Sequence, residues 1–96
     1  MNAPFNLVLR ADGTQLQLER RPSIKEVERL IGADTLDGFA LRDGRYVFLD
    51  DIGHHKGLPR NEQATALYLS ICYPGTTHFV AGDAVVVRDA DYGGPL

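Results

Sequence analysis

The chain has 96 residues, with 10 Lys and Arg against 13 Asp and Glu, for a net charge of −3. That length suits one domain and is short for two. Apolar residues at 44% and charged residues at 24% exclude wholesale disorder, and the charge balance suits neither a basic nucleic-acid binder nor an acidic nucleic-acid mimic.

Residues 5–10 read as a strand, and residues 14–19 as a second. In the second, Leu16 and Leu18 alternate with Gln15, Gln17 and Glu19, the period of a half-buried strand. Asp12-Gly13 between them has the chemistry of a tight hairpin turn. Ser23 and Glu26 form a capping box ahead of Ile24, Val27, Leu30 and Ile31, and Gly32 suits a left-handed end. This spacing predicts a helix over 23–31. A second hairpin follows: an apolar strand around 36–41, a turn at Arg42-Asp43-Gly44, and a return strand over 45–49. Residues 50–60 show no periodicity and form a long loop for so small a domain. Asn61 is the expected cap of a helix over 62–72, whose apolar face is Ala64, Leu67, Tyr68 and Ile71. Tyr73-Pro74-Gly75 ends it. Residues 78–80 read as extended and 84–88 as a strand, with Ala81-Gly82-Asp83 as a turn or bulge between them. Residues 89–96 read as a frayed tail.

The order is β-β-α-β-β-loop-α-β(β). It predicts a single α+β domain, a mostly antiparallel sheet of five to six strands with two short helices on one face.

Several classes drop out. The one cysteine, Cys72, cannot form an intrachain disulfide, which fits a reducing cytoplasm. The longest apolar run, residues 84–87, is far too short to cross a membrane. The first residues lack a basic stretch followed by an apolar one, so no signal peptide is expected. Glycine-rich phosphate-binding patterns and a Gly-x-Ser-x-Gly elbow are absent, so no cofactor is expected.

Three clusters have chemical potential. Asp50, Asp51, His54 and His55 are metal-ligating types in one loop, but adjacent histidines point apart on most backbones, and Asp-Asp before a glycine is also ordinary turn chemistry. Cys72 and His78 flank a Pro-Gly turn and are the types of a thiolate–imidazole nucleophile, yet nothing marks an orienting group or oxyanion hole. Arg20, Arg21, Lys25 and Arg29 could dock an acidic partner, although Glu26 and Glu28 interleave them as on any solvated helix face.

The stretch Gly57-Leu58-Pro59-Arg60-Asn61-Glu62-Gln63-Ala64-Thr65, then Leu67-Tyr68, then Gly82-Asp83-Ala84-Val85-Val86, resembles a family of short phage- and plasmid-encoded proteins of uncharacterised function. The resemblance covers about residues 45–88. It implies a mobile-element accessory protein in a bacterial cytoplasm and supplies no chemistry.

The function expected from these features is a non-enzymatic module that binds an unknown host or self protein, with a homodimer through the sheet as a further expectation. Its contacts are expected from the 50–61 loop and the start of the second helix: Ile52, Leu58, Arg60 and Asn61, with Tyr46 from an aromatic strand. The alternatives are a small-ligand or nucleotide binder using Arg60 and the helix N-terminus, and a small metal- or cysteine-dependent enzyme. Nucleic acid and membrane are not expected partners.

Overall fold

The computed structural model describes residues 6–88; the first residue of the first expected strand and the whole expected tail lie outside the described residues. Strand β1 (Leu7–Leu9) and strand β2 (Gln15–Gln17) form the first hairpin. At its turn the Asp12 carboxylate accepts the Thr14 N–H at 2.9 Å and the Thr14 hydroxyl at 2.6 Å. Thr14, through its hydroxyl and then its N–H, holds the Asp12 carboxyl below its ordinary range.

Helix α1 (Ile24–Ile31) begins where the capping box places it. The Ser23 hydroxyl accepts the Glu26 N–H at 3.1 Å, and the Glu26 carboxylate accepts the Ser23 N–H at 2.9 Å. Gly32, at φ 68°, is the left-handed cap that ends it. Strands β3 (Leu36–Ala40) and β4 (Arg45–Asp50) form the second hairpin. Helix α2 (Glu62–Leu69) is capped by Asn61, and strand β5 (Ala84–Arg88) closes the order. Helix α2 stops three residues before the expected end. There the Ile71 and Cys72 N–H groups donate to Tyr68 and Leu69, three residues back, which tightens the chain into a turn.

The five strands make one antiparallel sheet in the order β2-β1-β5-β4-β3. Strand β5 is therefore the seam between the two hairpins. One register fixes it on both sides: Val86 lies opposite Leu7 of β1 and Val47 of β4.

The two helices lie on opposite faces of this sheet, not on one. Val27 and Ile31 of α1 join Val8, Phe48, Val85 and Val87 in one buried cluster. Ala64 of α2 joins Leu9, Val47, Ala84 and Val86 in another, with Leu67, Tyr68 and Ile71 packed on it. Neighbouring strand residues point to opposite faces, so these alternating sets belong to two sides. A strand covered on both sides reads as a continuous apolar run, and residues 84–87 are that run, all fully buried. The sheet has two apolar faces in its middle, and each needs its own helix.

At the β2 edge the expected half-burial is lost, and all three residues of the strand are exposed. Leu16 lies opposite Val8 on the α1 face, but α1 sits over β4 and β5. Leu18 reaches the core, whereas Leu16 remains 45% exposed.

The capping box generates a prediction with a sign. Ser23, through its N–H and then its hydroxyl, holds the Glu26 carboxyl below its ordinary value of 4.5. A depressed carboxylate contributes stability above its ordinary value, and that contribution is lost as pH falls through the folded value. Ser23→Ala should cost about 1 kcal/mol near neutrality. It should also raise the Glu26 carboxyl and narrow the difference from wild type on acidification, read by urea denaturation across pH and by side-chain NMR.

Candidate functional site

The long loop between β4 and α2 is a braced structure. The Asp50 side chain is 1% exposed and accepts the Lys56 ammonium at 2.7 Å and the Ile52 N–H at 3.0 Å. The same ammonium reaches the Gly32 carbonyl at 3.2 Å, so Lys56 joins the loop to the C-terminal cap of α1. Inside the loop, Lys56 N–H donates to Ile52, Gly57 N–H to His54 and Leu58 N–H to Gly53. Asp51 N–H donates to Thr35 and carries the β3–β4 ladder one step further.

The far side of the loop is tied to residues 79–82. The Gly82 N–H donates to Pro59 at 2.7 Å, the Asn61 N–H donates to Val80 at 2.8 Å, and Arg60 bridges Ala81 in antiparallel fashion. Two glycines permit this approach. A β-carbon on Gly53 would lie 2.7 Å from the Ala81 carbonyl oxygen, and one on Gly82 would lie 2.8 Å from the Leu58 side chain. Asn61 stands at the centre, fully buried. Its amide nitrogen donates to Leu9 of β1 and to Gly82, both at 2.9 Å, and its amide oxygen accepts the Ala64 N–H at 3.0 Å. Thr65, one turn on and also buried, accepts the Val80 N–H on its hydroxyl at 2.9 Å.

The stretches 57–65 and 82–86, noted above for their resemblance, are thus in direct contact with each other. Pro59, Asn61 and Gly82 are parts of one joint. Asn61 spends both amide donors there, and its oxygen on the helix cap. Leu58 packs against Gly82. Tyr46 packs on the α1-side cluster and meets Phe48 edge-on, at 5.0 Å between ring centres. Of the five expected contact residues, Arg60 and Ile52 remain on the surface, Ile52 at 42% exposure.

What the loop displays is a set of rings. His54 stacks on His78, with centres 4.6 Å apart and planes 20° from parallel. Phe79 lies 4.5 Å from His54, and Tyr68 meets His78 edge-on at 5.8 Å. Phe39 of β3 continues the row, 5.3 Å from Tyr68. The His54 Nε2 is bonded to the Phe79 carbonyl, and the Arg60 guanidinium lies 5.3 Å over the Phe79 ring while Arg60 Nε donates to Glu62 at 3.0 Å. His54, His78 and Arg60 are exposed and Phe79 is half-buried. Sequence spacing does not link residue 54 to 79, because the link runs through the strand-like contact of residues 60 and 81.

The expected chemical clusters separate. Asp50 turns inward to Lys56, His54 turns to Phe79 and His78, and Asp51 and His55 are exposed. Among the described residues no group of three or more His, Cys, Asp or Glu side chains is placed to hold one metal ion. Cys72 is half-buried one turn beyond Tyr68. Its hydrogen bond with Tyr68, with burial and then the charges of Cys72 and Asp37, pushes the Tyr68 phenol above its ordinary 10.0. Tyr68 is therefore the common neighbour of Cys72 and His78. On α1, Lys25 pairs with Glu28 at 3.9 Å, and Arg20 reaches Glu26 at 4.0 Å. These exposed pairs are those of a solvated helix face.

The clefts described are not lined by loop residues; one of about 510 Å³ lies along α1, past Lys25, Arg29, Gly32 and Asp34. One of about 480 Å³ runs between β2 and α1, past Leu18, Arg20, Glu26 and Arg29. Another of about 300 Å³ lies beside α2, over Leu7, Leu9, Leu67 and Val86. No helix among the described residues is long and apolar enough to cross a membrane.

Comparison with known proteins finds no matching family model, no matching curated protein and no matching solved structure.

Asn61→Ala strands the Gly82 carbonyl and the Ala64 N–H and removes the side-chain donor from the Leu9 carbonyl, and should cost about 2–4 kcal/mol in urea denaturation. Lys56→Met leaves the buried Asp50 carboxylate without its cation and should cost about 2–4 kcal/mol. Asp50→Asn should cost less than Lys56→Met, since its amide oxygen still accepts the Ile52 N–H.

Proposed function

We propose that this protein is a non-enzymatic protein-interaction module whose contact surface is the 52–60 loop together with residues 78 and 79. The observation that carries this reading is the ring array of His54, His78 and Phe79 with Arg60 over it, displayed on a braced loop. Aromatic side chains and arginine concentrate binding energy at protein interfaces. Rings already stacked against one another lose little freedom when a partner covers them. Ile52 adds exposed apolar surface, and Asp51, His55 and Glu62 supply a polar surround. The accessory role in a phage or plasmid implied by the 57–65 and 82–86 resemblance is part of this proposal.

The alternatives have less support. A small-ligand site calls for a concave, enclosed pocket with a few convergent polar groups, and the clefts described are open and lined by other elements. An anion at the start of α2 would compete with Glu62 for Arg60, while the Ala64 and Thr65 N–H groups are already bonded to Asn61. Metal catalysis would need several ligands converging on one ion, and among the described residues no group of three or more His, Cys, Asp or Glu side chains is so placed.

The test is a photo-crosslinking amino acid placed singly at positions 52, 54 and 78, with position 25 on α1 as control, in cells of a candidate bacterial host. The reading expects one common adduct from the first three positions and none from position 25. Arg60→Ala with Phe79→Ala should weaken that adduct at least about tenfold while the fold is retained. Equal labelling from all four positions, or from position 25 alone, would reject this surface.

A further inference from the structure

The sheet has two open edges among the described residues, at β2 and at β3. Strand β2 is three residues long, whereas β3 has five and no proline or lysine. The direction of each β3 backbone group follows from the ladder. Leu41 N–H donates to Arg45, and Asp51 N–H donates to Thr35. Odd-numbered residues of β3 therefore bond inward to β4, and the N–H and C=O groups of Leu36, Gly38 and Ala40 point outward. Such a row is a template for a further strand.

One outward donor, in the middle of the row, is already taken. The Gly38 N–H donates to the Asp37 carboxylate of its own chain at 2.8 Å. Asp37 is exposed, and no cation is paired with it among the ion pairs described. A carboxylate in this place fills the donor that an incoming carbonyl needs, and it repels that carbonyl.

We propose that the outer edge of β3 is a strand-pairing surface for a second copy of this chain, held closed by Asp37. The edge is self-complementary. A two-fold axis at Gly38 pairs Gly38 with its own copy and Leu36 with Ala40 of the other copy. It also sets Asp37 opposite Phe39, so no like charges face each other in that register. The helices already cover both faces of the central strands, which leaves the edge as the route for pairing through the sheet. Turning Asp37 away releases two Gly38 donors per dimer.

The experiment compares wild type, Asp37→Ala and Asp37→Ala with Ala40→Pro by sedimentation velocity over a concentration series, with amide hydrogen exchange on each. Wild type should be monomeric, with fast exchange at Leu36 and Ala40. Asp37→Ala should lower the monomer–dimer dissociation constant by about tenfold or more, from two freed hydrogen bonds. The amides of Leu36, Gly38 and Ala40 should then become protected. The added proline removes an outward donor at an edge position and should restore the monomer. Asp37→Ala that stays monomeric, or that dimerises without protecting these amides, would overturn the proposal. So would a wild-type dimer already protected there. None of these outcomes depends on the ring array.

Discussion

The fully buried amide of Asn61 is the constraint on which the rest of this structure hangs. One side chain ties the start of α2 to β1 and to the chain just before β5. Those three segments come from the beginning, middle and end of the sequence. A buried carbonyl without a partner is costly, so the amide stabilises this joint by donating to Gly82, adding a bond to Leu9 and capping a helix as well. The segment 79–82 can then run alongside 58–61, which delivers β5 into the gap between the two hairpins. Without that seam the hairpins would be separate two-stranded ribbons, too small to hold themselves.

The same joint shapes the surface. Because Arg60 pairs with Ala81, the loop before it and the turn after α2 lie side by side. That is how His54 comes to stack on His78, and Arg60 to sit over Phe79. On the other side, Lys56 holds the loop to Asp50 and to the end of α1. The loop is long in sequence and short in freedom. A surface held this way can offer the same rings to every partner it meets.

Local elements were legible because their causes are local. The Ser23–Glu26 box, the Asp12-Gly13 turn and the Asn61 cap each act within a few residues, and each element begins where its signal stands. The helix faces were legible for the same reason, including Ala64, Leu67, Tyr68 and Ile71. The layer arrangement differs from the expected single helix-covered face, although the signal for it stands in the sequence. The run of residues 84–87 is apolar at every position, which a strand half-covered on one side does not need. The roles of Asn61, Lys56, Thr65 and Gly53 depend on partners far away in sequence, and no spacing rule reaches them. Asn61 carried the right residue type for a cap, but its two long-range donors were invisible. The ring array was hidden similarly, since it joins residues 54 and 79 through a bridge between 60 and 81.

If the Asn61 joint organises the fold, the groups around it should open only when the whole domain opens. Native-state hydrogen exchange on the wild-type protein measures this directly. The amides of Asn61, Ala64, Val80 and Gly82 should exchange as slowly as those of Val85 and Val86 in β5, and with the same dependence on denaturant. Exchange of the first set through a smaller, local opening, while β5 stays closed, would contradict the account and make the joint a consequence of the sheet rather than its support.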